Sequence, residues 1–270
     1  MNWANKVSVI TGAGSGIGQA IAKHIAAKGG HIALVDMSEE GLQKTLESIQ
    51  HFGGKYTTHC VNVSDVAQME ALPEAVVAEH KQIDVLFNNA GLTIDKSFAD
   101  HSLADWQKII GVNLWGVIYG YHFFLPYLEK RPEAHVATTS SMAGFLGFPK
   151  QSSYSLTKAG VRALNESLYA EYKFRNIHIT SVHPGAIHTN LFNVASATAV
   201  DQQASREFFK KVEKFAMPVH KAAAIIVRAV EKKKQRVRVG KDSVAVDIIK
   251  RLMPVTVHKL FAKLAEKQLS

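Results

Sequence analysis

Short runs of β-branched residues alternate with longer amphipathic segments through the first half of the chain. Strands are predicted at 7–10, 31–35, 56–63 and 83–87. The segments between them are long enough for helices of ten or more residues. Strands that alternate with such helices run parallel and are joined by right-handed crossovers. The pattern therefore predicts an α/β fold in which helices cover both faces of a doubly wound parallel sheet.

The ends of the helices carry recognisable signals. Ser38 is a predicted N-cap, with Glu39 and Glu40 in the first turn, where the helix dipole favours negative charge. Gly53 and Gly54 end that helix. Further strands are predicted at 135–139, 177–183 and 236–239, and a helix at 152–172. Because no repeat or low-complexity linker interrupts this order, we predict a single domain over residues 1–240, followed by an extension over 241–270.

The composition is that of a globular protein with a substantial core. Of the 270 residues, 47% are hydrophobic and 20% are charged. Cys60 is the single cysteine, so an intramolecular disulfide is excluded. The N-terminal residues lack a signal-peptide pattern, and no run of about 18 apolar residues predicts a spanning helix. A cytoplasmic location is therefore expected.

The positive charge is concentrated in the last quarter of the chain. Residues 206–270 contain 17 Lys and Arg against 6 Asp and Glu, whereas the overall net charge is +9. Residues 244–264 combine apolar positions with lysine and arginine, and Pro254 interrupts them. Such a segment suits packing on a partner subunit or over a pocket, peripheral contact with an anionic membrane, or a solvated surface. Because no nucleic-acid-binding motif accompanies it, nucleic acid is not an expected partner.

A glycine cluster joins the first predicted strand to the first predicted helix. The segment 11–18 reads Thr-Gly-Ala-Gly-Ser-Gly-Ile-Gly. Glycines allow a backbone to approach a pyrophosphate closely, and the following helix presents N–H groups to that anion. A glycine-rich turn can also be purely steric. The strand before it, the helix after it and Asp36 downstream favour a Rossmann-like dinucleotide site.

Asp36 ends the second predicted strand, 18 residues beyond Gly18. A carboxylate there can accept hydrogen bonds from adenosine ribose hydroxyls, and it would repel the 2′-phosphate of NADP. Neither Ser15 nor Met37 supplies a compensating positive charge. The sequence therefore favours NAD over NADP, although an aspartate that merely begins a turn before Ser38 would have the same position.

Tyr154 and Lys158 lie four residues apart in a predicted helix, so their side chains share one face. A nearby ammonium would lower the pKa of the phenol towards the pH at which a general acid/base works. Spacing alone also fits two surface neighbours on a helix. The context is more specific, since Ser141 follows a strand thirteen residues earlier and Asn88-Asn89-Ala90-Gly91 follows the fourth predicted strand.

Together with Asn113 and Pro184-Gly185, these motifs resemble the classical short-chain dehydrogenase/reductase family over residues 7–240. The resemblance implies that Tyr154 is the acid/base, Lys158 lowers its pKa and binds the nicotinamide ribose, Ser141 orients the substrate oxygen, and Asn113 holds a water. The remaining roles concern the cofactor, with Asn89 and Gly91 on its adenosine side, Asn62 replacing the family's usual aspartate near adenine, and the 184–189 segment at the carboxamide. The predicted cofactor-binding residues are Gly12, Ser15, Gly16, Ile17, Gly18, Asp36, Asn62, Val63, Asn89, Ala90, Gly91, Tyr154, Lys158, Pro184, Gly185, Ile187 and Thr189.

The expected activity is NAD-dependent interconversion of a secondary alcohol and its ketone. The alternatives are an NADP-dependent carbonyl reductase and a nucleotide-sensing or scaffolding protein without turnover. The loops 92–98, 145–150 and 187–217 are expected to face the substrate, and their apolar residues favour an apolar one. The histidines lack a metal-binding spacing, so no metal is predicted. The resemblance also implies a homodimer or homotetramer built from helices around 106–128 and 152–172.

Overall fold

The fold was examined in a computed structural model, which describes residues 1–259 and 261–262. The strands of this part of the chain are β1 (Val7–Thr11), β2 (His31–Asp36), β3 (Tyr56–Cys60), β4 (Val85–Asn88), β5 (Ala134–Thr139), β6 (Ile177–Pro184), β7 (Ile187–His188), β8 (Met217–Pro218) and β9 (Arg236–Val239). The helices are α1 (Gly16–Ala26), α2 (Glu39–Ile49), α3 (Val66–His80), α4 (Leu103–Ile110), α5 (Gly116–Leu128), α6 (Ser152–Tyr172), α7 (Leu191–Thr198), α8 (Gln202–Glu213), α9 (Val219–Glu231) and α10 (Lys241–Leu252).

Seven parallel strands form the main sheet in the order β3-β2-β1-β4-β5-β6-β9. The prediction of a Rossmann-like, doubly wound parallel sheet in a single domain is confirmed. The strand order reverses between β1 and β4, because the chain first builds outward through β2 and β3 and then returns to the other side of β1. Ligands bind beyond the carboxyl ends of the strands at such a reversal.

Apolar side chains of the sheet pack alternately on its two faces, as the two-residue period of a strand requires. Ile10 packs on the face covered by α1, α2 and α9, where Ile25 and Ile226 are fully buried. Val9, its neighbour, packs on the opposite face under α3, α5 and α6, together with Phe124. The two layers hold the strand ends rigidly, and the loops that follow the strands are positioned by them.

Three segments differ from the sequence prediction. The third strand ends at Cys60 rather than at Val63, because 62–65 forms a polar turn in which Ser64 donates hydrogen bonds to Asn62. The predicted substrate loop 187–217 contains two helices, α7 and α8, between the short paired strands β7 and β8. The C-terminal helix α10 begins at Lys241, three residues before the predicted amphipathic segment.

The continuous helical run Leu103–Leu128 includes α4, a π-turn and α5, and its most apolar window has a mean hydropathy of 1.2. By length and composition this run could cross a membrane, whereas the sequence analysis predicted no spanning helix. Core helices of soluble proteins can have the same length and apolar composition. Within the fold, α5 packs against α3, β4 and β5, and 39% of the window is buried.

Candidate active site

A cleft of about 320 Å³ opens at the carboxyl ends of the central strands. It brings together segments that are up to 180 residues apart in sequence, and it is bordered by every predicted site residue except Gly18 and Asn113. The predicted residues on its walls are Gly12, Ser15, Gly16, Ile17, Asp36, Asn62, Val63, Asn89, Ala90, Gly91, Ser141, Tyr154, Lys158, Pro184, Gly185, Ile187 and Thr189.

The glycine loop needs its glycines for different physical reasons. Gly12 and Gly16 have φ of 67° and 54°, a region that disfavours other residues. Gly18 is buried instead, and a Cβ there would overlap the carbonyl oxygen of Gly12. Gly18 therefore allows α1 to pack closely against the loop and has no position on the cleft wall.

The N-terminus of α1 fits a phosphate group. Ser15 is the N-cap residue, and among the described residues no side chain caps the first turn, which also lacks an acidic residue. Its N–H groups face the cleft without a side-chain acceptor, and the helix dipole adds positive potential there. A dinucleotide pyrophosphate would satisfy these donors, so the residues present fit the cofactor that the sequence predicts.

The Asp36 carboxylate is fixed at the far end of the cleft. Its Oδ2 accepts a hydrogen bond from Gly14 N at 2.9 Å, and its Oδ1 accepts one from Ser38 N at 3.0 Å. The side chain is partly exposed to the cleft. Two backbone donors thus hold a negative charge where the second strand ends, the position expected for a group that binds ribose hydroxyls.

Asn62 and Val63 line the wall next to Asp36. The Asn62 amide oxygen accepts hydrogen bonds from the Ser64 backbone N–H at 3.1 Å and from its hydroxyl at 2.8 Å. Because a backbone N–H can only donate, the Asn62 atom that contacts it must be the amide oxygen, and this oxygen is therefore engaged in the turn. Asn62 therefore both stabilises the turn at 62–65 and lines the cleft.

Asn89 connects three strand ends. Its amide nitrogen donates to Thr11 O at 3.1 Å, its backbone N–H donates to the Thr11 hydroxyl, and its amide oxygen accepts from the Thr139 hydroxyl at 3.1 Å. Thr11 and Thr139 were missed as site residues. Their positions at the carboxyl ends of β1 and β5 were the signal that could have identified them.

Gly91, which the motif assigns to the adenosine side, lies beside Asn113 and Lys158. A Cβ on Gly91 would be 3.3 Å from both the Asn113 Oδ1 and the Lys158 Nζ atoms. Asn113 is fully buried, and its amide group both donates to Leu92 O and accepts from Leu92 N at 2.9 Å. The tight space explains the glycine, and the double hydrogen bond fixes the chain after β4 beside Lys158.

Tyr154, Lys158 and Ser141 converge at this second end. The first turns of α6 carry Tyr154 and Lys158 on one face, and the Lys158 Nζ lies 5.7 Å from the centroid of the tyrosine ring. Lys158 is buried and donates a hydrogen bond to Thr139 O at 2.9 Å. Ser141 follows β5 and caps a short 3₁₀ turn by accepting from Ala143 N. The phenol, ammonium and hydroxyl thus border one pocket.

The sequence predicts a lowered pKa for Tyr154, but the surroundings of its phenol in the folded chain raise that pKa. Burial raises the pKa of Tyr154 above its ordinary value, and the Ser141 hydroxyl opposes that shift only in part. Burial also lowers the pKa of Lys158 to about 8. The lysine is hydrogen-bonded to Thr139 and stands beside the ring, so its charge does not directly contact the phenol oxygen.

The backbone at Ser141 is stabilised by the buried His183 ring and the partly buried Phe145 ring. The His183 ring lies 3.3 Å from the Ser141 carbonyl oxygen and 2.9 Å from the Ser181 hydroxyl, and Phe145 stacks on it at 4.3 Å. Phe145 and Leu146 therefore belong to the body of the domain, although the sequence placed the 145–150 loop at the substrate. Phe148 likewise packs against Phe261.

Two fully buried histidines should make the fold sensitive to acid. Burial lowers the pKa of His135 to about 3 and that of His183 to about 4, from an ordinary value of 6.5. The unfolded chain therefore takes up protons below pH 6.5 that the folded chain excludes, and stability falls as the pH falls through that range. Each histidine should contribute a loss of about 1.4 kcal/mol per pH unit.

Urea unfolding between pH 7.5 and 4.5 measures this slope, and His135→Gln should reduce it by about 1.4 kcal/mol per pH unit because glutamine does not titrate. An unchanged slope in that variant would contradict the assignment. The control is His51→Gln, since His51 is exposed in the 3₁₀ turn that follows α2.

The remaining wall is apolar and comes from α7 and the loops around it. Leu191, Phe192 and Val194 border the cleft near Leu92 and Val112. Phe209 of α8 stands behind this wall, where its ring stacks on Phe192 at 5.2 Å. Helix α7 of the 187–217 segment thus presents an apolar surface to the cleft.

Comparison with known proteins identifies relatives of this chain. The family described as short chain dehydrogenase matches residues 6–199. The chain is 35% identical to SadH, a protein of Mycobacterium tuberculosis named as an oxidoreductase, over 97% of this chain and 95% of that one. It is 36% identical to the cyclohexanol dehydrogenase of an Acinetobacter species, over 69% of this chain and 75% of that one.

A solved structure shares the whole architecture. A short chain dehydrogenase/reductase from Burkholderia phymatum in complex with NAD superposes with a TM-score of 0.86 at 26% identity. The match covers 93% of this chain and 94% of that one.

Proposed function

This chain belongs to the classical short-chain dehydrogenase/reductase family, and on that premise we propose that it interconverts a secondary alcohol and its ketone with NAD. As a member of the family it is an oxidoreductase. In the proposed reaction the Tyr154 phenolate accepts the hydroxyl proton during oxidation, and the phenol returns it during reduction. Bound NAD supplies the carbon that accepts or donates the hydride.

One observation carries the proposal. Tyr154, Lys158 and Ser141 border the same end of a cleft whose other end holds a fixed carboxylate and an uncapped helix N-terminus. Ser141 is placed to donate to, or accept from, the substrate oxygen beside the phenol. Lys158 adds a positive charge that stabilises a developing phenolate, and Thr139 O holds that charge in place. A sensor without turnover has no need of such a proton-transfer group.

The preference for NAD follows from the Asp36 carboxylate. Asp36→Asn removes the charge and keeps an oxygen that can accept from Gly14 N. We expect kcat/KM with NADP to rise by about tenfold to a hundredfold, because the 2′-phosphate carries about −1.5 to −2 charge that the carboxylate repels. The measurement is the ratio of kcat/KM values for the two cofactors with one alcohol.

Glu47→Gln is the matched control for Asp36→Asn. Glu47 is an exposed carboxylate at the other end of α2, so its removal changes the net charge by the same amount. If both substitutions raise the use of NADP equally, the effect is one of overall charge and Asp36 is not the determinant. A wild-type protein that already prefers NADP would favour the NADP-dependent carbonyl reductase instead.

The proposed substrate is largely apolar. Leu191, Phe192 and Val194 line the cleft, and apart from Asp36 and Lys158 the residues that line it carry no charge in the described part of the chain. A charged substrate would lose its hydration there without a partner. The cyclohexanol dehydrogenase relative, which is named for a cyclic alcohol, supports this class as a starting point.

A screen of secondary alcohols and ketones with both cofactors tests the function. The readout is the absorbance of the reduced nicotinamide. We expect turnover with apolar cyclic or aliphatic alcohols and little with carboxylated or phosphorylated ones. Turnover confined to charged substrates would overturn the substrate class, and the absence of any hydride transfer with either cofactor would favour the sensing or scaffolding alternative.

The setting of the protein is part of the proposal. We propose a homodimer or homotetramer built from the helices around 106–128 and 152–172. We also propose a location in the cytoplasm and a small-molecule alcohol or ketone as the partner. Peripheral membrane contact through the C-terminal extension remains an alternative. Against it, Arg251 of the extension already forms an ion pair with the buried Asp247.

A further inference from the structure

The first turn of α10 closes over the turn that follows β6. Asp242 Oδ2 accepts a hydrogen bond from Ala186 N at 2.6 Å, and the Ser243 hydroxyl donates to His183 O at 2.7 Å. Both contacts therefore fix backbone atoms on either side of Pro184-Gly185. Asp242 lies beyond residues 6–199, the part of the chain that matches the family.

The Asp242 carboxylate occupies space that two glycines leave open. A Cβ on Gly185 would overlap the carboxylate, and so would a Cβ on Gly240. Gly240 has a φ of 110°, which brings the start of α10 back towards the turn. Gly185 N donates to Val239 O at 2.8 Å, so the strand end before α10 holds the same turn. Position 185 must therefore be glycine, because a side chain there would collide with the Asp242 carboxylate.

The position of Asp242 is electrostatically favourable. It lies in the first turn of α10, where the helix dipole stabilises a negative charge. The hydrogen bond from Ala186 N adds a charge-assisted contact, which is stronger than one between neutral groups. The carboxylate therefore stays in place over the turn rather than rotating into solvent.

We infer that Asp242 is a positioning residue for the nicotinamide half of the cofactor. The inference rests on the proposed function, in which Pro184, Gly185, Ile187 and Thr189 hold the nicotinamide. Asp242 holds that turn in place through its hydrogen bond from Ala186 N. It does not itself border the cleft. In the proposed function the adenosine half is held elsewhere, by the glycine loop and Asp36, which line the cleft themselves.

Two ligands separate this role from a general loss of stability. NAD contacts both halves of the cleft, whereas ADP-ribose lacks the nicotinamide and probes the adenosine half. For Asp242→Ala we expect about tenfold weaker binding of NAD, with binding of ADP-ribose unchanged within about twofold. Asp242→Asn keeps an acceptor oxygen for Ala186 N and should recover most of the NAD affinity.

Asp105→Ala is the matched control, because Asp105 is also a first-turn carboxylate that accepts from a backbone N–H, at the start of α4. It should lower stability and leave the affinity ratio of the two ligands unchanged. Thermal melting of every variant identifies any that fails to fold. Amide hydrogen exchange over residues 184–190, measured without ligand, should be faster in Asp242→Ala and Ser243→Ala than in the wild type.

The outcomes are distinct. Equal weakening of NAD and ADP-ribose in Asp242→Ala, or no weakening of either, overturns the inference, as does unchanged amide exchange in both α10 variants. A wild type that binds both ligands but oxidises no alcohol defeats the proposed function alone. A wild type that binds neither ligand defeats the proposed function together with the inference.

Discussion

Replacing Tyr154 by phenylalanine should lower kcat by about 10²–10⁴, the usual contribution of a general acid/base. The substitution removes only the phenol oxygen, so the apolar contacts of the ring are kept. NAD binding should change little, because the helix N-terminus and Asp36 that are proposed to bind it lie elsewhere in the cleft. Steady-state kinetics with an alcohol found in the screen, together with a cofactor titration, measure both quantities.

Tyr169→Phe is the control for this substitution. Tyr169 lies on the same helix, α6, with its hydroxyl near Lys173 and away from the cleft. It should keep nearly full activity. Turnover close to normal in Tyr154→Phe would remove Tyr154 from the mechanism, even if the cofactor still bound.

Replacing Lys158 by methionine should lower kcat/KM by about 10²–10³, the typical cost of removing one preorganised electrostatic group. Methionine has a similar length and suits the buried stem, whereas the hydrogen bond to Thr139 O and the positive charge are lost. Because burial lowers the pKa of Lys158 to about 8, the charge disappears as the pH rises through that value. NAD affinity of the wild type should therefore weaken above pH 8.

The Lys158→Met variant should bind NAD weakly and with little dependence on pH between 7 and 9. Lys173→Met, an exposed substitution at the C-cap of the same helix, supplies the control for the loss of a positive charge. If Lys158→Met loses activity yet keeps the wild-type pH dependence, another group titrates near pH 8 and the assignment of that titration to Lys158 is wrong.

The sequence predicted the architecture because apolar residues recur with different periods in strands and in helices, and because capping residues and glycines mark the ends of the helices. The doubly wound parallel sheet is confirmed, and the predicted helix at 152–172 has the observed bounds of α6. The motifs also predicted which family the chain belongs to. Boundaries failed where no periodic signal exists, as in the 187–217 segment, whose apolar residues fitted a loop and a pair of short helices equally well.

The assignments of Gly91 and the Tyr154 pKa show what local spacing leaves out. Gly91 was placed at the adenosine side from its motif, and the fold sets it against Asn113 and Lys158. Four-residue spacing brings Lys158 beside the tyrosine ring, yet the contact that fixes its ammonium is Thr139 O, on a strand from another part of the chain. Burial, which dominates both pKa shifts, is a property of the packed protein.

The sequence by itself predicted the alternation of strands and helices, the main parallel sheet, and which residues are candidates to bind phosphate or to transfer a proton. These depend on local periodicity and on short-range geometry along the chain. Only the tertiary structure decided that Asp242 lies over Gly185 and that α7 forms the apolar wall of the cleft. Such contacts join residues far apart in sequence, and they are fixed by the packing of helices on the sheet, which no local pattern encodes.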